Sequence, residues 1–146
     1  MKILSVFLLL FMFSCNKEST PESALEDFIN YRFESGQSKE DILEMTTGPL
    51  YEKLNSLTEE ELQKFTDVKD LSKRRLKVLI KNCEEDTCYL TYVLRYVKGN
   101  ETPRDYSVEV KKIAQVNKVE EKWLLSDVSN VKTYIESKKE LKIEEE

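Results

Sequence analysis

Four segments in the second half of the chain alternate apolar and polar residues and decide the fold. They read RLKVLIKNC (residues 75–83), CYLTYVLRYV (88–97), RDYSVEVKKIAQVN (104–117) and KWLLSDV (122–128). Successive side chains of a strand point to opposite faces of a sheet, so a period of two predicts strands with one buried face. Gly99-Asn100, between the second and third segments, is typical of a turn. We therefore predict an antiparallel sheet of about four strands.

The residues that precede the sheet carry apolar side chains at helical spacing. Thr20-Pro21 is typical of a helix start, because threonine caps free N–H groups and proline suits the first turn. Thr58 followed by Glu61 predicts a later start through a capping box. Helices followed by a run of antiparallel strands indicate an α+β fold, in which the helices pack on the sheet.

The length of 146 residues predicts one domain. We place it at residues 20–136, with a terminal helical turn carrying Val131, Tyr134 and Ile135. Residues 137–146 are nearly all lysine and glutamate, which predicts a solvated charged tail.

Residues 1–14 are typical of an export signal. Lys2 precedes an apolar run over residues 3–13, which is too short to span a bilayer as a helix. Met12-Phe13-Ser14-Cys15 resembles the lipobox of bacterial lipoproteins, although leucine and a small residue are usual where Met12 and Phe13 stand. The resemblance implies removal of residues 1–14, a lipid on Cys15, and residues 15–19 as a tether to the membrane. The alternative is a plain secretory signal with an incidental cysteine.

The lipobox resemblance also implies a location. A lipidated protein is held in the bacterial cell envelope by several acyl chains. Asn16 stands where inner-membrane retention in Gram-negative bacteria uses aspartate. The resemblance therefore favours the outer membrane.

Composition excludes several functions. The formal net charge is −5 and the pI is about 5.1, which argues against a nucleic-acid partner. The chain has no histidine, so it lacks the commonest general base and the commonest transition-metal ligand. It carries no glycine-rich phosphate loop and no nucleophile elbow. We expect no metal, no cofactor and no enzymatic activity.

The order of helices and strands resembles the nuclear-transport-factor-two-like (cystatin-like) fold, and more narrowly small bacterial lipoproteins of unknown function with that fold. The residues that carry this resemblance are Ala24, Leu25, Phe28 and Ile29, with Glu120-Glu121-Lys122-Trp123-Leu124-Leu125 as the last turn and strand. It implies a bent sheet wrapped around the helices as a cone, sometimes with a pocket at its mouth. It also implies, frequently, a homodimer through the outer face of the sheet.

Cys83 and Cys88 remain as a pair if Cys15 carries lipid, and a disulfide is the first interpretation in an exported protein. Simple antiparallel pairing from these cysteines sets Leu79 opposite Tyr92 and sends Val78 to the other face, so the apolar stripes of the two strands do not coincide. Three resolutions are open: a β-bulge in one strand, partial coverage of both faces, or unpaired cysteines. We expect the disulfide together with a bulge.

The candidate pocket residues are Tyr92, Tyr96, Tyr106, Trp123 and Asp127. Tyrosines around a cone could line a ligand site with an apolar wall and orienting hydroxyls, or simply pack a small core. Asp127 follows Leu125 by two residues, which predicts an inward carboxylate at the end of the sheet.

Arg32 and Arg95 are candidates for binding an anion or pairing with a carboxylate such as Asp127. A plain surface or rim salt bridge is the alternative for both arginines.

The sequence therefore predicts a lipid-anchored binding protein of the cell envelope without catalytic residues. Its target is a small apolar ligand in the cone or an envelope protein on the sheet. Two alternatives stay open: an enzyme of hydrolase or isomerase type that uses an inward carboxylate, and a purely structural envelope lipoprotein.

Overall fold

The computed structural model describes residues 19–34, 36–66, 71–98 and 106–137. Within these ranges lie four helices, α1 (Pro21–Tyr31), α2 (Lys39–Glu44), α3 (Gly48–Ser56) and α4 (Glu59–Thr66). Four strands follow: β1 (Leu71–Glu84), β2 (Thr87–Lys98), β3 (Tyr106–Val119) and β4 (Lys122–Ser137). The α+β class is confirmed. The predictions for the signal segment, Cys15, the turn at Gly99-Asn100 and most of the charged tail lie outside the described residues.

The strands form one antiparallel sheet in the order β1-β2-β3-β4, curled into a half-barrel. The helices fill its concave face, since the buried apolar side chains of α1 to α4 and those of the inner face of the strands form one core cluster. The most deeply buried large side chains in it are Tyr92, Phe28, Leu25, Ile29, Ile42, Leu54, Leu90, Leu125 and Val116.

Helix α1 runs along the concave face from one end of the sheet to the other. Its N-cap Thr20 forms a capping box with Ser23, as the threonine predicts. Near this end Glu22 forms a 2.8 Å ion pair with Lys81, close to the first hairpin. Near the other end the Lys73 ammonium donates to the Asn30 side-chain oxygen. The C-terminus of α1 therefore lies at the end of the sheet away from Cys83 and Cys88.

The disulfide and the bulge predicted for β1 and β2 are both confirmed. Cys83 pairs with Cys88 in the ladder and is joined to it by a disulfide. The register then shifts between Val78 and Ile80, so Leu79 is an extra residue on β1. Val78 consequently lies opposite Tyr92, which restores the apolar stripe on the inner face.

The predicted terminal helical turn at Val131, Tyr134 and Ile135 is wrong. Strand β4 continues to Ser137, because residues 132–137 pair with residues 106–111 of β3. Unpaired, this half of β3 would expose a row of hydrogen-bonding groups along the edge of the sheet. Val131 is an extra residue between the pairs Lys111↔Lys132 and Lys112↔Asn130, and such an insertion breaks the strict alternation that identifies a strand.

The segment between α2 and α3 covers the outer edge of β4. Thr47 N–H donates to the Leu125 carbonyl at 2.8 Å, and Leu125 N–H donates to the Met45 carbonyl at 3.0 Å. Gly48 begins α3 with φ +54°, and a Cβ placed there would lie 2.8 Å from Ser126 Oγ. A glycine is therefore required where the helix turns away from the sheet.

Candidate binding site on the concave face

A lysine interrupts the apolar inner face of β3. The inner positions of this strand are Val108, Val110, Lys112, Ala114 and Val116. All of them are buried except Lys112, which is half-buried. Lys112 lies directly opposite Tyr92 of β2, and opposed residues share a face of the sheet. The Lys112 side chain therefore points to the concave side, where helix α1 packs.

Arg32, the C-cap of α1, reaches the same region. Its Nη2 donates to the Phe65 carbonyl at 3.0 Å, which satisfies one of the free carbonyls at the end of α4. Its guanidinium carbon lies 4.8 Å from the centroid of the Phe65 ring, a cation–π contact. Its Nε is buried and has no hydrogen-bond partner in the part of the chain that the structure describes.

The charges of Arg32 and Lys112 act on each other. Burial lowers the pKa of Lys112, and the nearby Arg32 charge lowers it further. Burial also lowers the pKa of Arg32, while Tyr92 and Tyr96 act in the opposite direction. Burial raises the pKa of Tyr92 to about 12, so this phenol carries no negative charge at neutral pH.

Within the described ranges, neither Arg32 nor Lys112 forms an ion pair. Two half-buried positive charges thus lie near each other on the concave face, with no carboxylate partner among the described side chains. We call the set Arg32, Phe65, Tyr92, Tyr96 and Lys112 the inner cluster. Both interpretations of Arg32, a salt bridge and an anion site, therefore stay predictions, and no ion pair of Arg32 is present within the described residues.

The structure brings together only part of the candidate pocket. Tyr92 is buried, and Tyr96 is half-buried on the same face, opposite Val108. Trp123 lies near the other end of the sheet, where it pairs with Lys118 and its backbone N–H donates to Ser19 Oγ at 3.2 Å. That position is six residues further along β3 than Lys112, about 20 Å along the strand. The Tyr106 side chain lies outside the described residues.

The prediction of an inward Asp127 is wrong. The register of β4 shifts between the pairs Gln115↔Asp127 and Val116↔Leu125, so Ser126 is an extra residue. One extra residue reverses the alternation of faces. Leu125 is therefore buried while Asp127 is exposed, and its carboxylate accepts a hydrogen bond from the Ser129 hydroxyl at 3.1 Å. The enzyme alternative loses the carboxylate on which it was based.

Arg95 lies away from the inner cluster. Its Nε and Nη2 contact the hydroxyl of Ser107 at 3.3 and 3.0 Å. Of the two candidate arginines, only Arg32 faces the tyrosines of β2.

Sequence reasoning missed Lys112. The signal was present, because the alternation Val108, Val110 on β3 predicts an inward side chain at position 112. A lysine at an apolar position of a strand is unusual enough to mark a site, since lysine is rarely buried unless paired.

The convex face of the sheet carries an apolar patch. Register places Ile80, Thr91 and Ile113 in one row across β1, β2 and β3. Ile80 is 59% exposed, Ile113 37% and the nearby Tyr89 45%. We call Ile80, Tyr89 and Ile113 the outer patch. Contiguous exposed apolar side chains are typical of an interaction surface.

Comparison with known proteins shows the fold and no family. No protein-family profile matches the chain, and no curated protein matches it by sequence. The solution structure of RPA3114, a SEC-C motif-containing protein from Rhodopseudomonas palustris, superposes with a TM-score of 0.55 at 16% identity. The match covers 77% of this chain and 80% of that one. At this identity the likeness shows a shared small α+β fold alone.

Two further observations concern chemistry and membranes. In residues 19–34, 36–66, 71–98 and 106–137, no three histidine, cysteine, aspartate or glutamate side chains cluster as metal ligands would. No helix in the same ranges is long and apolar enough to cross a membrane.

Proposed function

We propose that this chain is a non-enzymatic binding protein that takes a small ligand on the concave face of its sheet. The observation that carries the proposal is the inner cluster, where the apolar inner face gives way to half-buried Tyr96, Lys112 and Arg32. Small-molecule sites are mostly apolar and contain a few convergent polar groups. The inner cluster has this composition.

The hydrophobic core lies directly beneath the inner cluster. Leu94 and Val110 pair with each other on the inner face, next to the Tyr92–Lys112 pair. Both are buried, at 5% exposure each. A ligand held here would contact the half-buried rings of Tyr96 and Phe65 on one side and the two cations on the other.

The proposal includes an exported, lipid-anchored protein with a nuclear-transport-factor-two-like fold. It is supported by the resemblance of Met12-Phe13-Ser14-Cys15 to a lipobox, and by a disulfide, which forms and persists in oxidising compartments. We place the protein in the bacterial cell envelope, at the outer membrane in a Gram-negative host.

The test is native mass spectrometry of the full chain, expressed with its signal in a bacterium and extracted in mild detergent. We expect a chain that begins at Cys15, carries lipid, lacks two hydrogens for the Cys83–Cys88 disulfide, and retains a small molecule. Cys15→Ser is the control for lipidation. A chain with no bound small molecule, released intact under conditions that preserve known complexes, would contradict the ligand proposal.

A second candidate function is self-association through the outer patch, on the face of the sheet opposite the inner cluster. The observation that favours a second copy is the distribution of charge around the patch. Lys77 and Lys111 lie on the same convex face toward one end, and exposed Asp127 and Glu84 lie toward the other. A two-fold packing of two such faces would set each basic end against an acidic end.

A further inference from the structure

We infer that the ligand of the inner cluster is an organic acid whose anionic group binds Arg32 and Lys112. This inference rests on the proposed function and names the chemical class of the ligand. The class is a carboxylate or sulfonate attached to an apolar or aromatic body.

The first step concerns the pair of cations. Arg32 and Lys112 are both half-buried on the concave face. Lys112 lies opposite Tyr92. Asn30, two residues before Arg32, accepts a hydrogen bond from Lys73, which pairs with Tyr96. This geometry brings the two charges near each other, and the Arg32 charge lowers the pKa of Lys112. Two like charges in a partly desolvated site repel each other more strongly than in water. Burial of a charge is favourable only when an opposite charge or hydrogen-bond acceptors compensate it. Among the described side chains no carboxylate does so, and an anion between the two cations would.

The second step concerns the donors of Arg32. The cap on α4 uses Nη2, which donates to the Phe65 carbonyl at 3.0 Å. The cap leaves Nε, which is buried and has no acceptor within the described residues. A guanidinium presents its N–H groups in a fixed planar fork that suits oxyanions, whereas an ammonium acts as a compact charge with free geometry. Arg32 would orient the anionic group and Lys112 would add charge.

The third step concerns the body of the ligand. The Phe65 ring lies against the guanidinium, and Tyr92 and Tyr96 lie near it on β2. Phe65 and Tyr96 are half-buried, and their partly exposed rings have little to offer a fully hydrated inorganic ion. They do match an aromatic or aliphatic group attached to the anion.

The experiment compares two fluorescent probes that differ mainly in charge. One is 1-anilinonaphthalene-8-sulfonate, which is anionic, and the other is N-phenyl-1-naphthylamine, which is neutral. Both are titrated against the full chain in detergent and against two variants, Lys112→Gln and Lys111→Gln. Lys111 is the matched control, because it neighbours Lys112 on β3 and points to the convex face. Loss of one charge-assisted contact is expected to weaken the binding of the anionic probe about tenfold.

We expect Lys112→Gln to lower the affinity for the sulfonate about tenfold and to leave the affinity for the neutral probe unchanged within about a factor of two. We expect Lys111→Gln to change neither affinity. Because Arg32 also caps α4, Arg32→Gln is a supporting variant and Lys112→Gln decides. Equal affinities for both probes in all three proteins would overturn the anion inference and leave the ligand proposal standing. Failure of the unmodified protein to bind either probe would overturn both.

Discussion

Substitution of Gly48 by alanine tests the junction between α3 and β4. Gly48 adopts φ +54°, and an added Cβ would lie 2.8 Å from Ser126 Oγ and 3.9 Å from Ser126 Cβ. A non-glycine residue in this left-handed backbone conformation costs about 1–2 kcal/mol. Alanine also lowers the entropy of the unfolded chain, which offsets about 0.4–1 kcal/mol of that cost. Ser126 is 2% exposed, so its hydroxyl has little space into which to move. Overpacking of this kind adds about 1–3 kcal/mol.

Gly36 provides the matched control. It adopts φ +81°, and a Cβ there would meet nothing within 4 Å. We expect Gly36→Ala to lower the free energy of unfolding by about 1 kcal/mol and Gly48→Ala to lower it by about 2–4 kcal/mol. Urea unfolding monitored through the fluorescence of the single tryptophan, Trp123, measures both.

A double-mutant cycle isolates the contact itself. Ser126→Ala removes Oγ and keeps the Cβ at its ordinary distance of 3.9 Å. In that background the cost of Gly48→Ala should fall to the cost of Gly36→Ala, about 1 kcal/mol. If Gly48→Ala costs the same with Ser126 or with alanine at that position, the close approach of α3 to β4 is not as described.

Three other predictions concern the disulfide, the inner cluster and the outer patch. Replacing Cys83 and Cys88 by serine should lower the free energy of unfolding by about 2 kcal/mol, because the closed loop is short; a loss well above that in urea unfolding would contradict a purely local role. Lys112→Leu should raise the free energy of unfolding by about 1 kcal/mol at pH 7. Burial lowers the folded-state pKa of Lys112, so its charge destabilises at neutral pH, and the advantage of leucine should fade as pH rises toward about 10.4; an advantage independent of pH would refute this. If two copies pack through the outer patch, Ile113→Lys should convert dimer to monomer in sedimentation analysis, and an unchanged dimer would exclude the patch as the interface.

The alternation of residues predicted the antiparallel sheet of about four strands well, because each strand has one buried face. Strand ends were less accurate, and β4 was longer than the pattern indicated. Val131 and Ser126 are extra residues at β-bulges. Such a residue is difficult to recognise in a sequence, because it shifts the alternation of faces without changing the composition of the strand. The same effect placed Asp127 on the wrong face.

The bulge at Leu79 shows the opposite case. There two independent constraints were available, the pairing of Cys83 with Cys88 and the apolar stripe through Val78. They agree only if β1 carries one extra residue, and the structure has it. For β4 the sequence offered no second constraint.

The inner cluster could be predicted only in part. The alternation in β2 predicts that Tyr92 and Tyr96 point inward, and the alternation in β3 predicts the same for Lys112. The approach of Arg32 could not be predicted, since it depends on where α1 ends relative to the sheet and on the cap that Arg32 forms with Phe65. Contacts between elements far apart in the chain leave no local periodicity.

The central claim, that the concave face binds the ligand, is tested most directly by intermolecular NOEs between the protein and N-phenyl-1-naphthylamine. The neutral probe reports location without relying on charge. We expect NOEs from the probe to the side chains of Tyr96 and Phe65, and none to Ile80 or Ile113. NOEs confined to Ile80 and Ile113 would contradict it and would make the convex face the binding surface.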